Sequence, residues 1–338
     1  MDNKVTKKRL TEFLQYEWLK LVSLLLVACL LITLMFMGMG SESRLLSNGQ
    51  TFYLHYYNTT PLATVDGDTF KNVEALLNDD VFSYEVQEIS ISSSDTSTHP
   101  YWWEAGNVDM VIATNTTGSA EGDADISKAK TDFNYLVDSY KVHDYVGYYQ
   151  SARAYAKTFL TDGAVCLDGN EDLADDQDLD VSLIDLQKVK NSFYSRSFKD
   201  NRYKTDEEKS VAEVYELYRI QSLYQNVNDL KRLIVEHPEI FISYTKYSAS
   251  YHNATDKSLY EADYLSQTPK YYGIDLSRLT CNASGKTDIT EFAVLAGETT
   301  AKHMVLAIFD VEKHQPTLHY ESLSALTAIV KATTDFLD

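Results

Sequence analysis

The chain has 338 residues, a formal net charge of -20 at pH 7, 44% hydrophobic residues and 12% aromatics. That balance excludes a disordered acidic polymer, and the excess of 50 acidic over 30 basic residues argues against phosphate neutralisation, so no nucleic-acid partner is expected. With 5 Pro, 13 Gly and a mean hydropathy of -0.30, collagen-like, mucin-like and polytopic membrane architectures are excluded, while one membrane span is permitted.

That span is expected at residues 19–40, which carry a single charge, Lys20. At ~1.5 Å per residue the uncharged stretch 21–40 covers ~30 Å, the thickness of a bilayer's hydrocarbon core. Lys4, Lys7, Lys8, Arg9 and Lys20 precede or open it, whereas Arg44 is the lone cation just after it, which predicts a cytoplasmic N-terminus. The expected organisation is a cytoplasmic segment at 1–18, a single-pass transmembrane signal anchor at 19–40, a juxtamembrane linker at 41–50 and an extracellular α/β domain at 51–338. A cleaved signal peptide fits less well, since its apolar core is shorter and ends in a small-residue site. Leu26-Val27-Ala28-Cys29 has the pattern of a lipobox with Cys29 as the acylated residue, but residues 30–37 stay apolar beyond it. Two further cysteines, Cys166 and Cys281, fall outside the membrane. A disulfide between them would contribute ~4–5 kcal/mol, and two separate buried thiols is an equal reading. Sequons at Asn58, Asn115, Asn253 and Asn282 occur at about chance frequency and carry no weight.

Beyond the linker the hydrophobic period changes. Residues 51–57 are short, aromatic-rich and bounded by Asn58-Thr59-Thr60-Pro61, a strand signal. Phe70, Val73, Leu76 and Leu77 then recur at helical spacing, with Asp68 or Thr69 as cap and Asn78-Asp79-Asp80 as stop. Residues 82–91 alternate and predict a second strand, followed by a polar segment at 92–98. Pro100 opens a short helix that Gly106-Asn107 closes, and the apolar run 108–113 predicts a strand buried on both faces. The order β-α-β-α-β with short connections predicts a parallel sheet covered by helices. This stretch, with Gly106-Asn107-Val108-Asp109 leading into an apolar strand, resembles the first lobe of type II extracellular solute-binding proteins, the receptors of ABC importers. The resemblance covers residues 51–117 and implies a second, ligand-closing lobe, a small polar ligand and an ABC transporter permease as partner.

The middle of the chain, 125–265, reads as helix-rich. A tyrosine-studded helical pattern runs over 125–159, further helices over 182–198 and 206–237, and Pro238 ends the last. Its expected apolar stripe is Val211, Val214, Leu217, Tyr218, Ile220, Leu223 and Tyr224. Residues 240–251 fit helix or strand, 271–279 a turn into a short helix, 301–311 a strand and 318–337 an amphipathic helix.

Motifs for catalysis are missing: there is no H-E-x-x-H, G-x-S-x-G or complete phosphate loop, so no enzyme activity and no cofactor are expected. Gly285-Lys286-Thr287 matches a phosphate loop's tail without its upstream glycine. Asp168-x-Asn170-x-Asp172 begins like a calcium loop, but Leu173 stands where glycine is needed and Leu179 where the bidentate Glu belongs, so no metal site is assigned. His314 and His319 flank Gln315-Pro316-Thr317, which reads as an exposed turn. A binding site has better support. Asn58-Thr59-Thr60 and Asn115-Thr116-Thr117 each follow a predicted strand, and in open parallel sheets ligands sit beyond the carboxyl ends of strands at the switch point. Trp102 and Trp103, next to Tyr101, would wall that crevice or anchor their helix in the core. The expected function is therefore a membrane-anchored extracellular solute-binding protein serving transport. The alternative is a non-catalytic accessory or interaction module, with its contact surface on the tyrosine-rich helices.

Overall fold

Period-two alternation sends Phe52, Leu54 and Tyr56 to one face of the first strand and His55 and Tyr57 to the other, and all five are buried. The computed structural model describes residues 51–58, 67–77, 80–95, 97–113, 133–162, 177–197, 202–246, 268–279, 285–289, 294–295, 298–299, 304–309 and 320–338. In chain order the elements are β1 (Thr51–Asn58), α1 (Gly67–Leu76), β2 (Glu88–Asp95), α2 (His99–Ala105) and β3 (Met110–Ala113). Four helices follow, α3 (133–139), α4 (Tyr145–Lys157), α5 (Leu186–Ser197) and α6 (Asp206–Glu236). The remainder is β4 (Phe241–Tyr244), β5 (Lys270–Asp275), the ribbon β6 (Val294–Leu295) and β7 (Glu298–Thr299), β8 (Val305–Ile308) and α7 (Glu321–Thr333).

Six strands form one sheet in the order β2-β1-β3-β8-β5-β4. β1 is parallel to β2, with Thr51 beside Glu88, and to β3, with Leu54 beside Met110. From β3 onward every pairing is antiparallel. The expected parallel unit is present, and the sheet as a whole is mixed. The step from β1 to β2 runs one way along the sheet and the step from β2 to β3 runs back past β1. Right-handed crossovers then require covering helices on opposite faces. Accordingly Val73 of α1 and Leu77 just beyond its end share a core with Phe52 and Leu54, while Trp103 of α2 packs with Tyr57 and Val111.

The first face carries the larger core. Against Leu54, Tyr56, Ile112, Leu306 and Ile308 it gathers Tyr145, Tyr148 and Tyr149 of α4, Leu223 and Val227 of α6, and Leu323 and Leu326 of α7. α3 covers the second face with Phe133, Leu136 and Val137. The helix-rich middle therefore packs on the same sheet as the first strands, and Gly49–Asp338 is one compact unit. The separate ligand-closing lobe implied by the resemblance is not found among the described residues.

Several expected boundaries shift for identifiable reasons. Residues 80–87 turn instead of extending, so β2 starts at Glu88 and runs on through the serines. Phe82 leaves the strand to pack on Phe52, with ring centroids 4.6 Å apart, and β2 lies at the sheet edge, where serines are tolerated. The helical pattern over 125–159 is interrupted between α3 and α4. There Val142 bridges to Phe309, and Asp144 accepts from the Gly147 N–H at 2.7 Å to start α4. A capping box opens α6: Thr205 accepts from the Glu208 N–H at 3.1 Å while Glu208 accepts from the Thr205 N–H at 2.9 Å. Residues 241–244 resolve as strand, and 270–275 form a strand before the short turn at Leu276–Arg278. The expected span at 19–40 lies outside the described residues, among which no helix is long and apolar enough to cross a membrane.

Candidate functional site

The long helix α6 is turned differently from its expected stripe. Leu223, Tyr224, Val227, Leu230 and Leu233 are buried, but in its first half the inward positions are Ala212, Glu216, Arg219 and Ile220. Val211, Val214, Tyr215 and Tyr218, spaced i, i+3, i+4 and i+7, face outward, with Val211 at 55% and Tyr218 at 57% exposure. The helix thus shows solvent an apolar and aromatic face while burying an ion pair.

Burial of that pair is made tolerable by a dense polar network. Glu216, at 0% exposure, takes the Arg219 Nε and Nη2 donors at 2.9 Å each, the Tyr84 hydroxyl at 2.9 Å and the Arg196 guanidinium. Glu85 accepts from Arg196 and, at 2.7 Å, from Arg202. Arg219 also donates to the Tyr155 hydroxyl at 2.9 Å. Burial by itself would raise the Glu216 pKa, yet the Arg219 and Arg196 charges hold it below the usual carboxylate value. The turn 80–87 and helices α5 and α6 all contribute members, which explains why that turn departs from strand geometry.

A cavity of about 290 Å³ opens beside this network, lined by Tyr84, Tyr215, Tyr218 and Tyr320 together with the charged residues Asp80, Arg219 and Glu321. A wider groove of about 780 Å³ adjoins it, sharing Tyr84 and Tyr215, whose ring centroids are 6.1 Å apart, and continuing past Val211 and Tyr203 to Glu207 and Glu208. Glu321 sits in the first turn of α7 and is 5% exposed. It accepts from the Ser83 N–H at 3.2 Å and from the Ser83 hydroxyl. Among the described residues it has no ion-pair partner. Burial raises its pKa, which the Ser83 donors and the Arg219 charge counter only in part. Ring faces, hydroxyls and a buried carboxyl group together make a surface suited to recognition.

The residues expected to bind a ligand are placed as follows. Asn58 ends β1, and the pairing of Tyr57 with Ala113 sets the carboxyl ends of β1 and β3 side by side at the topological switch. Thr59, Thr60, Asn115, Thr116 and Thr117 lie outside the described residues, as do Cys29, Cys166, Cys281, the Asp168-to-Asp172 loop, His314 and His319. Trp102 is partly exposed with its edge toward His55 at 5.6 Å, and Trp103 packs against Tyr140 at 5.4 Å. Trp103 anchors α2 over the second face of the sheet, Trp102 stays exposed at 39%, and Gly106 closes that helix in the left-handed region at φ 77°. Lys286, from the segment that matches a phosphate loop's tail, instead reaches the Lys331 carbonyl at 3.1 Å near the end of α7. No group of three or more His, Cys, Asp or Glu side chains suited to a metal occurs among the described residues.

The class these features define is a mixed α/β protein with a doubly covered sheet and an exposed apolar-aromatic helix face. No family model matches the chain, and no significant match to it is found among curated proteins or solved structures.

Proposed function

We propose that this protein is a membrane-anchored extracellular binding module that engages a partner polypeptide through α6, without covalent chemistry. One observation carries the reading: Val211, Val214, Tyr215 and Tyr218 face solvent while Glu216 and Arg219 are buried on the same helix. Fully burying a valine-sized side chain contributes about 1.5–3 kcal/mol, whereas a buried ion pair is often no better than apolar packing. Stability alone favours the opposite arrangement, so the outward valines and tyrosines are better explained by contact with another molecule. Glu207 and Glu208 share the adjoining groove with Val211 and Tyr215 of the stripe, which suits a partner segment with apolar anchors and a basic flank. The extracellular side follows from the charge asymmetry around residues 19–40.

Photo-crosslinking side chains at positions 214 and 218 in intact cells test this. They should yield one discrete adduct that a control at exposed Asp335 does not give and that Val211→Asp abolishes. Equal adducts at all three positions, or none at 214 and 218, would refute the contact face. A second reading rests on the switch point between β1 and β3, namely a small polar ligand held by the two Asn-Thr-Thr loops for an ABC transporter permease. A thermal-shift screen of the full chain against sugars, amino acids and peptides tests that reading. A ligand at 100 times its dissociation constant should stabilise by about 2.7 kcal/mol, and Thr60→Val with Thr116→Val should remove the shift.

A further inference from the structure

We propose that the cavity between Tyr84, Tyr215, Tyr218 and Tyr320 is a binding site for a monovalent organic cation, an alkylammonium or guanidinium group, whose charge rests against the Glu321 carboxylate. The inference deepens the contact-face reading, because Tyr215 and Tyr218 belong both to the stripe and to this cavity. Four tyrosines line this one cavity, and aromatic rings attract cations over their faces. At about 290 Å³ the space lies at the lower end of ordinary ligand pockets, which span ~300–1,000 Å³, and suits a side-chain-sized group.

Ion-pair geometry, rather than net charge, singles out Glu321. The nearby guanidinium of Arg219 is engaged by both oxygens of Glu216 and by Tyr155, and Arg196 and Arg202 are held by Glu85. Among the described residues Glu321 makes no ion pair: its two oxygens accept from the two Ser83 donors, and the Arg219 charge acts on it only through space. The positive end of the α7 backbone dipole favours its ionised form but delivers no full charge. A cation in the cavity would give Glu321 a direct ion-pair partner beside the tyrosines that line the same space. The formal charge of -20 adds a long-range field that draws cations toward the protein.

The source of the cation, a free small molecule or a basic side chain of the partner polypeptide, is separated by the test. The protein in maltoside detergent is titrated calorimetrically with n-butylammonium, n-butylguanidinium, the slightly larger neutral alcohol n-pentanol and a short lysine peptide with apolar flanks. The two small cations should bind saturably and pentanol should not. Glu321→Gln should weaken the cations by about 10–100-fold, the range expected for loss of a hydrogen bond to a charged group. Since Glu321 is buried and its variant could fold poorly, Tyr218→Leu at an exposed position provides a second arm and should also weaken them. Val211→Ser with Val214→Ser should leave butylammonium binding intact. If the same pair weakens the peptide, the cation comes from a polypeptide; if it does not, the ligand is a free cation. Pentanol binding as tightly as butylammonium, unchanged cation binding in both Glu321→Gln and Tyr218→Leu, or no cation binding at all would each overturn the inference. Crosslinking at 214 and 218 would persist in those cases if the contact-face reading holds, so the two failures are distinguishable.

Discussion

Acidifying the medium from about pH 7.5 to about pH 5 should cost this protein about 4 kcal/mol of stability, through two histidines buried as neutral rings. His55 of β1 is 1% exposed and His99 of α2 is 0% exposed, with ring centroids 6.4 Å apart. Trp102, Tyr57, Tyr140 and Phe309 enclose them, none of which is an anion, and the Ser94 hydroxyl lies 3.2 Å from His99 Nδ1. Burial lowers the His55 pKa to about 4. It lowers His99 to about 3, where a charge on His55 would add repulsion. An unfolded histidine takes up its proton near pH ~6.5, so below that value the unfolded chain binds more protons than the folded one and stability falls with pH. By pH ~5 each unfolded ring has gained about 2 kcal/mol while the folded rings are still neutral, and the two sum to about 4 kcal/mol. Against a typical total of about 5–15 kcal/mol the loss is large. Glu321 works in the opposite direction, because a folded pKa raised above the unfolded value gains stability as pH falls. Urea unfolding followed by tryptophan fluorescence at three pH values measures the effect. The double variant His55→Gln, His99→Gln should lose the slope. Equal unfolding free energies at both ends of the range, or a slope surviving in the double variant, would show that the buried rings are not its origin.

Two other substitutions probe the packing behind the contact face and the sheet. Glu216→Gln leaves Arg219 and Arg196 buried with a weakened partner and should destabilise by about 3–5 kcal/mol in urea unfolding, whereas Tyr218→Ser on the outer face should change stability by no more than about 0.5 kcal/mol. At Gly273 of β5 an added Cβ would lie 2.6 Å from Val305 Cγ1 and 2.8 Å from Phe133 Cζ. Gly273→Ala should therefore lower the urea midpoint by an amount equivalent to about 1–3 kcal/mol from overpacking.

β1, β3 and the first two helices are legible in the sequence because their signals are local. Alternation in Thr51–Asn58, the proline and left-handed glycine that bracket α2, and the unbroken apolar run of β3 each act within a few residues. The same holds for the capping box at Thr205 and the stop at Pro238, which bound α6 almost as expected. β2 was misplaced because Phe82 answers to Phe52, and Ser83 to Glu321, which lies far along the chain. The antiparallel half of the sheet was equally hidden, since short runs such as Val305–Ile308 carry no mark of the strand they will pair with.

Helical spacing, composition and flanking charge are enough to determine β1, β3, α1, α2 and the bounds of α6, and to predict a single anchor with an acidic bulk beyond it. Which side of α6 turns inward was decided only in three dimensions. Glu216 and Arg219 become tolerable interior residues when Tyr84, Glu85 and Arg196, from two other elements, close around them. A buried charge is stable only with partners, those partners are remote in sequence, and their arrival leaves the valines and tyrosines of the same helix facing outward.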